Sequence, residues 1–252
     1  MPLGSWKGPA CLFWMAAGQA AWAQVSTDVN IATGLDTSYS VTPAEEWIER
    51  TGVALGLSSP EFVEAVLTGA HGRAGVAVFT WSSAGFPLLI GWTLLDSKDD
   101  AMAVAQRLEA TPLIAPDAFP VAPGPGRPGM DPFGKPRMTD LSAALDFGRL
   151  LLAGAPFQAE RSVLNIVANG HDNVGEGPVA ARDRAVEAGI MLNGVVLNDD
   201  PDLAEYFRDQ VIGGPGAFVL TVGTQGALAR TMAEKFVRDT VAVIEPVPEP
   251  VE

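Results

Sequence analysis

Asp36, Ser38 and Ser40 place three oxygen-bearing side chains at alternating positions within five residues. They follow an apolar run (Val29, Ile31, Leu35) and precede a helix that opens at Thr42-Pro43. One acid and two hydroxyls on a loop leaving a strand surround a single point with oxygens. Hard divalent cations such as Mg²⁺ or Mn²⁺ take such ligands, and Mg²⁺ keeps several of its waters. The same residue types are also ordinary turn formers, and Ser40 or Thr42 could simply cap the following helix. Both readings of the pentapeptide stand at this point.

The elements that must position this loop alternate in type. Thr27 to Leu35 reads as a first strand, and Pro43 to Leu57 as a helix with Pro in its first turn and Glu45-Glu46 near its positive end. A short helix spans Pro60 to Leu67. Gly75 to Trp81 is a near-continuous apolar run, as in a strand covered on both faces. Pro87 to Leu95 follows closely enough to pair antiparallel with it, and Ser97 caps a helix reaching Ala110. Residues 111–138 interrupt this rhythm with recurrent Pro and Gly, and a loop of that length is functional or disordered. Within it, Gly124-Pro-Gly-Arg-Pro-Gly129 matches the letters of a dinucleotide fingerprint. No strand precedes that match, no helix follows at once, and Pro128 occupies the turn, so it is rejected.

Beyond the loop come a helix (Asp140 to Ala153), a strand (Arg161 to Ala168), a helix (Val179 to Ala188) and a strand (Ile190 to Leu197). A short helix (Asp202 to Gln210), a strand (Ala217 to Val222) and a last helix (Ala227 to Thr240) complete the series. Such alternation predicts an α/β fold of βαβ units: a mostly parallel sheet of about six strands, one antiparallel edge strand, and helices on both faces. Ligands of such sheets bind at the carboxyl ends of the strands, near the reversal of strand order. Three loops can supply oxygens there: Asp36/Ser38/Ser40, Thr139-Asp140, and Asn169-Gly-His-Asp-Asn173.

This arrangement resembles the metal-ion-dependent adhesion site of von Willebrand factor A domains, written D-x-S-x-S, then a lone Thr, then an Asp at a later strand end. Asp36, Ser38 and Ser40 match the first part and Thr139 the second, while Asn169 stands where the pattern has Asp. The chain is also similar to a domain-of-unknown-function family of exported bacterial von Willebrand A-like proteins. The likeness rests on Asp36-Thr-Ser-Tyr-Ser-Val41, Thr80-Trp-Ser82, Gly91-Trp-Thr-Leu94, Ala168-Asn-Gly-His-Asp-Asn173 and Val211-Ile-Gly-Gly-Pro-Gly-Ala-Phe218. It runs from about Asp28 to Val241. The resemblance implies a Rossmann-like von Willebrand A-type domain holding Mg²⁺ or Mn²⁺ on Asp36, Ser38, Ser40, Thr139 and Asn169. It implies a protein partner whose acidic side chain completes the coordination, and a last helix that can move. Asn169 keeps an oxygen but loses a charge, which weakens cation binding; Asp140 and Asp172, each one loop position from a matching residue, are possible auxiliary acids. Tyr39 stands where the family often has Gly.

Residues 1–23 read as an export signal: Lys7, an apolar run from Cys11 to Ala17, and Ala21-Trp22-Ala23 before Gln24. Cleavage there removes the only cysteine, Cys11, and leaves a domain over residues 24–242 and an acidic Pro-rich tail over 243–252 that stays disordered. The mature chain is then periplasmic or secreted, without insertion into the membrane. The formal charge of −14 argues against nucleic acid and against anionic lipid. Two other functions compete with the binding module. A hydrolase would use Ser38 or Ser40 as nucleophile, His171 as base and Asp172 or Asp36 to orient it, although no G-x-S-x-G elbow surrounds either serine. A metal-free scaffold would bind through residues 111–138 or the acidic tail. Gly213-Gly-Pro-Gly216 offers either backbone N–H groups for an anion or a tight turn.

Overall fold

Residues 25–114, 135–223 and 225–241 are described by a computed structural model. The leader, the dinucleotide-like hexapeptide in the Pro/Gly stretch and the acidic tail lie outside these residues.

Apolar residues alternate sides along the strands, and both sides are covered. On β1 (Val25–Asp36), Val29, Ile31 and Leu35 join one core while Ala32 joins the other. The first core is closed by α1 (Pro43–Leu57), α2 (Pro60–Leu67), α3 (Lys98–Ala110) and α7 (Gln225–Thr240). The second is closed by α4 (Leu141–Ala153), α5 (Val179–Glu187), α6 (Pro201–Tyr206) and a π-helical turn over Phe207–Val211. Between them lie β2 (Ala74–Trp81), β3 (Leu88–Leu95), β4 (Phe157–Ala168), β5 (Ile190–Leu197) and β6 (Val219–Val222). The strand order is β3-β2-β1-β4-β5-β6, with only β3 antiparallel to its neighbour. The chain leaves β1 toward β2 on one side and later returns to β4 on the other. Strand order therefore reverses at β1/β4, the crevice where open α/β sheets bind ligands.

Local signals account for the helix starts. Thr42 and Glu45 form a reciprocal capping box at α1, and Ser59, Ser97 and Asp140 accept backbone N–H groups at α2, α3 and α4. The loop oxygen at Ser40 is thus not the cap. Gly52 and Gly56 let α7 lie close on α1: a Cβ at Gly52 would stand 2.5 Å from Leu228 Cγ, and one at Gly56 2.8 Å from Met232 Cβ.

Several boundaries shift by one or two residues, among them β1, which starts at Val25, and α7, which starts at Gln225, and three differences have a local cause. β4 begins at Phe157 instead of Arg161, because Phe157 to Ala159 pair with Val25 to Thr27 while alternating in exposure, which leaves no apolar run to read. β6 starts at Val219, since Phe218 N–H is taken by the Asn193 side chain. The helix expected over 202–210 divides at Phe207 into α6 and the π turn.

Candidate metal centre

Backbone hydrogen bonds tie four loops together at the carboxyl rim. Asp36 is level with Trp81 in the β1/β2 register, and Leu35 with Val167 in β1/β4. Thr37 N–H donates to Trp81 O at 3.0 Å, and Tyr39 N–H to Arg137 O at 2.6 Å. Ser83 N–H donates to Met138 O at 2.9 Å, Thr139 N–H to Asn173 Oδ1 at 2.9 Å, and Asn173 N–H back to Thr139 O at 3.0 Å. Residues 137–139 therefore lie between the loops that follow β1, β2 and β4. Thr139 is buried and shares the rim with residues 36–40.

Side-chain oxygens form a row across that rim. Asp36 Oδ1 accepts Ser38 N–H at 2.7 Å. Ser38 Oγ lies 3.2 Å from Ser40 Oγ, and Ser40 Oγ–H donates to Asn169 Oδ1 at 3.0 Å. The first three members are brought close by the turn after β1, and Asn169 comes from the end of β4, on the other side of the crevice. Asp36 is fully buried and its Oδ2 has no hydrogen-bond partner. Burial pushes its carboxyl from 3.8 up to about 7, against the opposing pull of Ser38, the Asn169 backbone and the Arg137 charge. A buried carboxylate oxygen with nothing to accept from, beside two hydroxyls and an amide oxygen, is a donor set that fits a hard cation. Among the described residues no three His, Cys, Asp or Glu side chains gather as a metal cluster, so hydroxyl and amide oxygens supply most of this set.

The two auxiliary acids are engaged by α4. Asp140 Oδ1 accepts Ala143 N–H at 3.0 Å, and Asp172 Oδ1 accepts Leu141 N–H at 2.6 Å. Burial raises the Asp172 carboxyl and the Asp140 charge adds to the rise, while the amides of Leu141, Val174 and Ser142 resist it. An anion at a helix N-terminus is favourable in itself, so each acid has a structural task. The exposed His171 ring lies 4.5 Å from the ring centre of Tyr206. Among the described residues no imidazole is hydrogen-bonded to Ser38 or Ser40. Gly213 forms an isolated bridge with Leu192, and Gly214 and Gly216 have positive φ, the geometry of a tight turn leading into β6.

Four further charged residues belong to this account, and sequence reasoning assigned a role only to Glu46, near the positive end of α1. Glu46, Glu49, Arg50 and Arg137 are all buried. Glu46 pairs with Arg50 at 2.5 Å and accepts Ile114 N–H at 2.8 Å, while Arg50 also donates to the carbonyls of Thr111 and Pro112. Glu46 is thus a clasp on the start of the Pro/Gly stretch as well as a charge near a helix end. Arg137 leaves Nε and Nη2 without partners, and burial lowers its pKa against the charges of Glu46 and Asp36. The signal was present: 46, 49, 50, 53, 54 and 57 form one helical stripe with Val53, Ala54 and Leu57, so the charges lie on the buried face.

A six-stranded, mostly parallel sheet with one antiparallel edge strand and helices on both faces is a von Willebrand factor A-like fold. The chain belongs to the family described as protein of unknown function (DUF1194), whose model matches residues 26–122 and 129–244. Solved structures share the fold at low identity. The pilus adhesin SpaC of Lactobacillus rhamnosus GG is similar at 11% identity and TM-score 0.57, over 85% of this chain and 31% of that one. Proximal thread matrix protein 1 of the mussel byssus is similar at 16% identity and TM-score 0.54, over 86% and 49%. A second structure of that mussel protein, at 14% identity and TM-score 0.51 over 85% and 48%, has a zinc-occupied adhesion-site motif. The von Willebrand domain of the type V pilus tip protein Mfa5 of Porphyromonas gingivalis is similar at 10% identity and TM-score 0.53, over 84% and 95%. The chain thus spans half or less of the mussel and Lactobacillus proteins it matches. No curated protein matches it in sequence.

Proposed function

We propose that this chain is a protein-binding module whose rim captures an acidic side chain of a protein partner with the help of Mg²⁺ or Mn²⁺. Asp36, Ser38, Ser40, Thr139 and Asn169 would hold the cation, which when bound supplies a coordination position for the partner's Asp or Glu. Asp36 contributes the only formal charge of this set, Ser38 and Ser40 contribute hydroxyls, and the Asn169 amide extends the row across the crevice. The observation that carries the reading is Asp36 Oδ2, a fully buried carboxylate oxygen with no hydrogen-bond partner at the end of a row of side-chain oxygens. Such an atom is unfavourable by about 1–3 kcal/mol or more unless an ion or proton occupies it. The zinc-occupied motif of the mussel protein and the pilus and adhesin neighbours support the same reading. An all-oxygen donor set suits Mg²⁺ or Mn²⁺ better than zinc, which prefers nitrogen and sulfur.

The same proposal places the protein in the periplasm or outside the cell after cleavage near Ala23. The Lys7 charge, the apolar run Cys11 to Ala17 and the small-x-small site support export. Among the described residues no helix is long and apolar enough to cross a membrane. The acidic balance of the chain turns it away from nucleic acid and toward cations or a partner whose acid is shielded by metal. Calorimetric titration of Mg²⁺ and Mn²⁺ into the full chain tests the centre. Saturable binding lost in Asp36→Asn is expected, and absence of binding by the wild type would remove the metal-dependent function.

A further inference from the structure

Asn169 leaves the rim with one formal carboxylate where the resembled pattern has two. The helix directly after the loop carries a buried acid that no hydrogen bond explains. Glu49 on α1 is wholly inaccessible, and neither carboxylate oxygen has a partner. A buried, unpaired carboxylate disfavours folding by several kcal/mol, whereas an apolar residue at this point of the stripe would join Val53 and Leu57 without that cost. Glu46, three residues earlier, is already held by Arg50 and Ile114. Burial is the main force raising the Glu49 carboxyl, and among neighbouring charges Asp36 acts on it first, ahead of Glu46 and Glu45. Asp36 and Glu49 are thus the buried acids that keep unpartnered oxygens among the described residues, and α1, which bears Glu49, opens directly after the loop that Asp36 begins. Two like charges out of water persist only where a cation reaches both.

Resting on the cation reading above, we propose that Glu49 supplies from α1 the negative charge that Asn169 withholds from the loop after β4. The charge count of the buried cluster agrees. Asp36, Glu46 and Glu49 are buried together with Arg50, which pairs with Glu46, and Arg137, leaving one negative charge when all are ionised. A divalent cation turns this into one positive charge, which a single partner carboxylate neutralises. Without Glu49 the excess would be two, and the cation would be held by Asp36 alone against the repulsion of Arg137.

Titration of Mn²⁺ alone into the full chain tests this assignment beside the variants Asp36→Asn, Glu49→Gln and Glu49→Met. Outer partners of metal ligands typically change affinity by about tenfold to a hundredfold, and a loss of that size is expected for both Glu49 variants. Met fills a similar volume without polar atoms, so it carries the test should the buried amide of Gln disturb folding. Asn169→Asp is expected to raise affinity more in Glu49→Met than in the wild type, where Glu49 already supplies the charge, and equal gains in both backgrounds would mark a merely structural role for Glu49 and overturn the assignment. Wild-type binding lost in Asp36→Asn but unchanged in Glu49→Met would overturn this assignment and leave the cation reading intact. No binding by the wild type would overturn both.

Discussion

Two buried charged networks occupy this sheet, and they are finished differently. Under α7, Lys235 Nζ donates to both oxygens of Asp239 at 3.0 Å and to Asn165 Oδ1. Asn165 and Asn193 are level in the β4/β5 register, and their amides donate to the two Asp239 oxygens at 2.8 and 3.0 Å. Asn193 Oδ1 in turn accepts Phe218 N–H. One cation faces one anion, and the polar atoms of all four side chains have partners. At the carboxyl rim, by contrast, Asp36 Oδ2, both Glu49 oxygens, and Nε and Nη2 of Arg137 have none. A closed network of this kind rigidifies a core, whereas an open one is maintained against its own cost and points to something that completes it.

The comparison breaks most visibly if the closed network tolerates loss of a member. Asp239→Ala strands the Lys235 ammonium among Asn165, Asn193 and Phe218, and a stability loss of about 3–5 kcal/mol in urea denaturation is expected. A loss below about 1 kcal/mol would mean that water reaches the ammonium and the network is not closed. The open network should instead answer to pH. Asp36 is raised from 3.8 to about 7 in the metal-free fold, so between those values folding takes up a proton. Its contribution to stability is full below about pH 4 and is lost as pH rises through about 7, approaching ~4 kcal/mol in all at about 1.4 kcal/mol per unit. Glu49, raised by the same burial, acts in the same direction. Thermal unfolding between pH 4 and 8 in chelator should show this decline, and Asp36→Asn should remove the share that belongs to Asp36. Saturating Mn²⁺ should flatten the wild-type slope, because the ion stabilises the charged carboxylate.

How much of this was legible follows from distance along the chain. The strands and helix starts could be read because apolar runs and caps such as Thr42 and Ser97 act within a few residues. Asp36, Ser38 and Ser40 could be read for the same reason, since one turn brings their oxygens together. Thr139 and Asn169 lie about a hundred residues away or further and required the resemblance to a known pattern. Glu49 and Arg137 stayed hidden for a different cause. A glutamate in the first half of a helix suggests solvent and the macrodipole, and an arginine in a Pro/Gly stretch suggests a loop surface. Only the stripe shared with Val53, Ala54 and Leu57 betrays the first, and nothing local betrays the second. Asn165 and Asn193 required knowledge of strand register, which a single sequence does not contain.

Glu49→Met sharpens the comparison from the opposite side. Removing a member of the closed network destabilises, but removing the unpartnered acid of the open one should stabilise the metal-free protein. Exchanging buried charge for an apolar side chain of similar volume is neutral or favourable by about 1–4 kcal/mol, and Met matches Glu in helix propensity, so the exchange isolates the burial term. Here about 1–2 kcal/mol is expected, because protonation of Glu49 already relieves part of the cost before the exchange. Differential scanning calorimetry in chelator should show a Tm increase of a few degrees for this variant, shrinking or reversing when Mn²⁺ is added. A lower Tm in chelator would mean that Glu49 has an apo-state partner, and only Asp36 and Arg137 would then distinguish this network from the one under α7.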